Sequence, residues 1–158
     1  MINNVSDEIK YEITIDPRPL EFKPDDDYIK TITSNLTRLT GVTISEFSKL
    51  VSPPNSLTWS GAIYDGTRSN HKWVRQSAFA LDFDKGLISV DEVYSRLKEF
   101  DILPQVWYTS FNNSPGLRKF RVVMFLDNPV TDIRLHVMIY SSLFHLFPEA
   151  DTGCKDQS

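Results

Sequence analysis

The chain has 158 residues, 41% hydrophobic and 24% charged, which suits one domain with a real core and argues against disorder, a collagen-like repeat or a disulfide scaffold. Its formal net charge is −4, yet residues 1–27 hold eight acids against three bases, so the rest is close to neutral and nucleic acid stays an eligible partner. The lone Cys154 excludes an internal disulfide, and histidines scattered at 71, 136 and 145 make no zinc spacing.

The N-terminal residues lack the basic flank and apolar stretch of a signal peptide, and no apolar run approaches the roughly 20 residues of a membrane helix. A soluble cytoplasmic protein, in a bacterium or its host cell, is expected, with no membrane partner. Ile9, Tyr11, Ile13 and Ile15 alternate with polar residues before Pro17 and Pro19, predicting a half-buried strand over 9–15 near a sheet edge. The acids Asp25, Asp26 and Asp27 suit the start of a helix over about 27–38, with a solvated loop as the alternative. Thr43 and Glu46 fit a capping box for a short helix that Pro53-Pro54 ends. Residues 55–70 read as a loop-rich connection with one weak strand around Trp59 and Ala62-Ile63-Tyr64.

From there the pattern sharpens. Residues 73–84 read as a strand. Ser89 and Glu92 form a second capping box for a helix over about 90–100 that carries Val93, Leu97 and Phe100. Residues 105–111 and 119–126 form a hairpin around a turn-rich Asn112-Asn113-Ser114-Pro115-Gly116. Thr131 caps a last helix with an apolar stripe of Ile133, Val137, Tyr140, Phe144 and Phe147, ended by Pro148. The order β-α-β-β-α behind an N-terminal α+β portion predicts a single α+β domain over 1–158, a mixed sheet with helices packed on it.

Three clusters carry chemistry. In Phe79-Ala80-Leu81-Asp82-Phe83-Asp84, strand alternation puts Asp82 and Asp84 on one face with Cα atoms about 6.6 Å apart. Paired carboxylates at that spacing suit Mg²⁺ or Mn²⁺ shared with substrate phosphates. A solvent-facing Asp82 beside a turn residue Asp84 would give the same pattern. Tyr108-Thr109-Ser110-Phe111-Asn112-Asn113-Ser114 supplies hydroxyls and amides opposite Arg118, Lys119 and Arg121, the composition of a phosphate-binding surface. Arg121 lies inside an apolar strand, where burying an unpaired charge is costly, so a ligand, a structural carboxylate or partial exposure is expected there. Asp151 follows the last helix, where it can return to the Asp82 strand or simply end the domain.

Taken in order, Ala80-Leu81-Asp82-Phe83-Asp84-Lys85-Gly86, then Tyr108 to Ser114 leading into Lys119-Phe120-Arg121-Val122-Val123, then Phe147-Pro148-Glu149-Ala150-Asp151 resemble the archaeo-eukaryotic primase superfamily, in its phage and plasmid replication proteins. The likeness covers residues 79–158. It implies an RRM-like catalytic core that makes nucleic-acid primers from nucleoside triphosphates on a DNA template, using two divalent ions. By position, Asp82, Asp84 and Asp151 match the metal-binding acids, while Ser110, Asn112, Asn113 and Arg121 fall in the nucleotide-binding region. The family's second motif ends in histidine where this chain has Asn112 or Asn113. An amide hydrogen-bonds phosphate but carries no charge and shuttles no proton. The resemblance further implies a longer replication protein with a helicase domain or partner. Alternatives are a catalytically reduced module that binds DNA or a replication partner, and a two-metal nuclease.

Overall fold

The computed structural model describes residues 9–52, 56–111 and 113–155. Their fold is α+β, with two antiparallel sheets and four α-helices. The first sheet has the order β2-β1-β3, from β1 (Tyr11–Leu20), β2 (Thr37–Val42) and β3 (Ser56–Ser60). The second runs β4-β5-β7-β6, from β4 (Ala62–Tyr64), β5 (Trp73–Phe83), β6 (Val106–Thr109) and β7 (Phe120–Val130). The expected single mixed sheet is thus corrected to two sheets whose pairings are all antiparallel. The weak strand expected in 55–70 is two strands, one in each sheet, on either side of Gly61.

Alternation along the strands builds three layers. Phe79, Leu81 and Phe83 of β5, with Phe120, Val122 and Met124 of β7, face α3 (Val90–Lys98) and α4 (Ile133–Leu146). The opposite face, through Ala78, Val106, Val123 and Phe125, packs on Tyr11, Ile13 and Ile15 of β1 and on Phe47 and Val51 of α2 (Ile44–Val51). Helix α1 (Asp26–Asn35) lies beside β1, and Ile32 is its buried residue. No described helix is long and apolar enough to cross a membrane.

Local signals set the helix starts. Asp25 accepts from Tyr28 N at 2.8 Å, and both capping boxes are formed, Thr43 with Glu46 and Ser89 with Glu92. The last helix is capped by Asp132, which accepts from Arg134 N at 2.9 Å, rather than by Thr131. Its buried stripe keeps Tyr140 and Phe147 as expected, but His136 and Leu143 take the inward places expected of Val137 and Phe144. His136, Tyr140 and Leu143, followed by Phe147 past the helix end, face the core, while Ile133 and Val137 are exposed.

The expectation that β1 lies at an edge is corrected, because it is the middle strand of its sheet. Its prolines are accommodated because pairing with β2 ends at Ile15, and the β3 ladder is irregular between Asp16 and Leu20. Pro17 and Pro19 therefore lie where few ladder N–H groups are needed. The proposed helix stop at Pro53-Pro54 lies outside the described residues.

The sheets meet where β3 passes into β4 through Gly61. A Cβ there would sit 2.0 Å from the carbonyl oxygen of Ala78. Two hydrogen bonds fasten this corner, Ser77 N to Gly61 O at 3.1 Å and Thr14 Oγ1 to Ala62 O at 2.6 Å. On the same side, Glu12 of β1 accepts from Arg38 of β2 and from Arg75 of β5, at 2.6 Å from Arg75 Nη2. Burial works against the Glu12 carboxylate, and the two arginines outweigh it, holding its pKa below the usual value.

Candidate functional site

The face of the second sheet that looks toward the first carries a row of polar side chains across three strands. Asp82 of β5 is the cross-strand partner of Arg121 of β7, which in turn partners Tyr108 of β6. Arg121 grips Asp82 with two parallel hydrogen bonds, Nε to Oδ1 and Nη2 to Oδ2, the second at 2.6 Å. Its Nη1 donates to the Tyr108 hydroxyl at 3.3 Å, which also accepts from Trp59 Nε1 of β3 at 2.8 Å. The carboxylate expected beside Arg121 is therefore Asp82. The pair is only partly shielded, with 32% of the Arg121 side chain and 21% of Asp82 exposed. Burial opposes the Arg121 charge, but Tyr108 and Asp82 more than offset it, raising the guanidinium pKa well above its ordinary value.

This row is the floor of a crevice of about 860 Å³ between the sheets, within the usual range for a small-molecule site. Asp82, Asp84, Ser110, Asn113 and Arg121 all line it. Asp84 comes just past the end of β5, before the turn at Gly86, whose φ of 67° suits a residue without Cβ. Ser110 and Asn113 enter from the β6–β7 turn. Ser110 N donates to Lys119 O at 3.0 Å and Asn113 N to Ser110 O at 3.1 Å, while Asn113 Oδ1 accepts from Lys119 N at 3.0 Å. The carbonyl of Asn113 thus holds the turn, and its NH₂ supplies two further donors. Asn112 lies outside the described residues.

Asp151 reaches the other side of the row. Phe147 and Ala150 are buried in the core, and Glu149 is held by Arg96 of α3, whose hydrogen bonds lower its pKa. These anchors bring Asp151 N to within 2.7 Å of Asp82 O. The Asp151 side chain lines a second cavity, of about 250 Å³, together with Arg68, Asp82 and Arg121. Asp82 is therefore common to both cavities, with Asp84 on one and Asp151 on the other.

Among the described residues, no group of three His, Cys, Asp or Glu side chains is arranged to hold a metal ion. The donor chemistry still fits Mg²⁺ or Mn²⁺, which is commonly held by one or two carboxylates with phosphate oxygens and water completing the shell. A carboxylate has about four lone-pair positions, and Arg121 engages two of those on Asp82. Asp84 and the remaining positions of Asp82 are the oxygens that would hold the ion.

Sequence reasoning missed the contribution of the N-terminal half. Leu20, Pro24, Ile32, Val51, Leu57 and Trp59, with the polar Glu21, Ser56 and Thr58, form the opposite wall of the crevice. Apart from the apolar patch around Trp59, nothing in their spacing distinguishes them from ordinary core residues. No family model, curated protein or solved structure matches the chain.

Proposed function

We propose that this chain is a primase-like nucleotidyltransferase module, which binds a nucleoside triphosphate in the crevice and joins it to a nucleic-acid strand on a DNA template. The observation that carries the reading is convergence. Asp82 and Asp84, Ser110 and Asn113, and Arg121 come from three separate stretches of sequence and line one crevice, with Asp151 tethered to the Asp82 backbone. The strand order β5-β7-β6 with α3 and α4 on one face supports an RRM-like core.

In this reading the cationic guanidinium of Arg121, the Ser110 hydroxyl and the Asn113 NH₂ bind and orient the phosphates through charge-assisted and neutral hydrogen bonds. Asp82 and Asp84 hold Mg²⁺ or Mn²⁺ with the phosphate oxygens. The bound ions supply neutralisation of triphosphate charge and stabilisation of the leaving pyrophosphate. Asp82, fixed by Arg121 and by the Asp151 N–H on its carbonyl, keeps its place between the two cavities. A replicative helicase domain or partner belongs to the same proposal.

Two observations favour a second reading, a catalytically reduced module that binds DNA or a replication partner. Both Asp82 oxygens accept from Arg121, and an asparagine stands in the second motif where the resembling family has histidine. Incorporation of labelled nucleotide on primed and unprimed templates with Mg²⁺ or Mn²⁺ decides between them. Incorporation that is lost in Asp82→Asn with Asp84→Asn is the expected result. Binding without incorporation favours the reduced module, and shortening of the template a nuclease.

A further inference from the structure

We infer that the N-terminal half of the chain supplies the nucleobase wall of the crevice, centred on Trp59, and holds a base by stacking and apolar contact rather than by reading its edge. The inference rests on the nucleotide reading above and assigns the part of the crevice that reading leaves open. The two walls differ in chemistry. One presents Ser110, Asn113 and Arg121, whose donors suit phosphate, and Asp82 and Asp84, which would meet phosphate through a divalent ion. The other is mainly apolar, with Leu20, Pro24, Ile32, Val51, Leu57 and Trp59, which suit a flat ring, and its polar members are Glu21, Ser56 and Thr58.

Trp59 stands where the walls meet. Its Nε1 donates to the Tyr108 hydroxyl at 2.8 Å, and its ring meets Phe47 edge to face, with centroids 4.7 Å apart. The Arg121 guanidinium lies over it at 6.0 Å. The indole is therefore held in one orientation before any ligand arrives, which limits the ordering cost of binding. The described lining residues from this half of the chain include no Asn, Gln, Lys or Arg, the side chains that make bidentate contacts to adenine or guanine, and its polar groups are the single-point contacts of Glu21, Ser56 and Thr58. Stacking is tolerant of base identity because every base has a π-face. The site is therefore expected to accept all four bases alike and to leave selection to template pairing.

Binding of ATP, GTP, CTP, UTP and inorganic tripolyphosphate to the full chain, measured by calorimetry with Mg²⁺ present, tests this. Each nucleotide is expected to bind on the order of tenfold more tightly than tripolyphosphate, the scale of one base–aromatic stack. The four nucleotides should agree within a few-fold. Trp59→Ala should erase the advantage over tripolyphosphate, and Trp59→Phe, which retains a ring, should keep part of it. The comparison in the unaltered chain needs no variant, so it stands even if Trp59→Ala fails to fold. Equal affinity for tripolyphosphate and nucleotides overturns the base wall while the phosphate site stands. Binding of neither overturns the nucleotide reading and the wall with it. A preference of a hundredfold for one base overturns stacking as the mode of recognition.

Discussion

His136 is buried completely on the inner face of α4, against the rings of Trp73, Phe79 and Tyr140 at centroid distances of 5.3, 5.7 and 5.1 Å. Burial lowers its pKa below the ordinary value of 6.5. The unfolded chain therefore takes up a proton before the folded one, and stability is full above about pH 6.5 and declines as pH falls below it. The carboxylates with lowered pKa, Asp16 and Glu149 among them, lose their contribution only at more acid pH, below their unfolded values near 4. Thermal melting between pH 7 and 5 should show a falling Tm, and His136→Phe should flatten that part of the curve. At this scale the sequence conveyed needs better than partners. Arg121 in an apolar strand required a compensating group, and Asp82 looked available for a metal. That each answers the other across two strands depends on a register between residues 39 positions apart, which no local pattern encodes.

Helix starts were readable because a cap is written within four residues. Thr43 with Glu46 and Ser89 with Glu92 form as their spacing implies. Ser89→Ala should cost about 1 kcal/mol, lowering Tm by roughly 2–4 °C in a chain of this size, measured by thermal melting. The inner face of α4 was harder to read. Its apolar residues occupy nearly every direction, so periodicity finds Tyr140 and Phe147 but does not choose between Val137 with Phe144 and His136 with Leu143. Packing against Trp73 and Phe79 made the choice, placing a histidine inside and leaving Val137 and Met138 exposed. Strand β1 shows the same limit. Its prolines signalled an edge, but whether a strand is central is decided by its neighbours, and the two ladders leave the proline stretch largely unpaired.

The partition into two sheets was the least readable feature, because strand pairing is set by contacts distant in sequence. Residues 56–64 carry a short apolar patch, yet the chain changes sheets in the middle of it. That change rests on Gly61, since any Cβ there meets the Ala78 carbonyl. Gly61→Ala should destabilise by about 1–3 kcal/mol, the usual cost of overpacking. The same substitution at Gly116, where a Cβ would meet no atom within 4 Å, should change stability by less than about 0.5 kcal/mol. Urea titration of both variants checks the contrast. The tight corner at Gly61 has a mechanical consequence. With β3 running into β4 across one residue and the carbonyls of Gly61 and Ala62 both hydrogen-bonded in place, the sheets share a corner with no hinge. The two sheets are therefore expected to keep a fixed angle where β3 passes into β4, beside the smaller cavity that Gly61 lines.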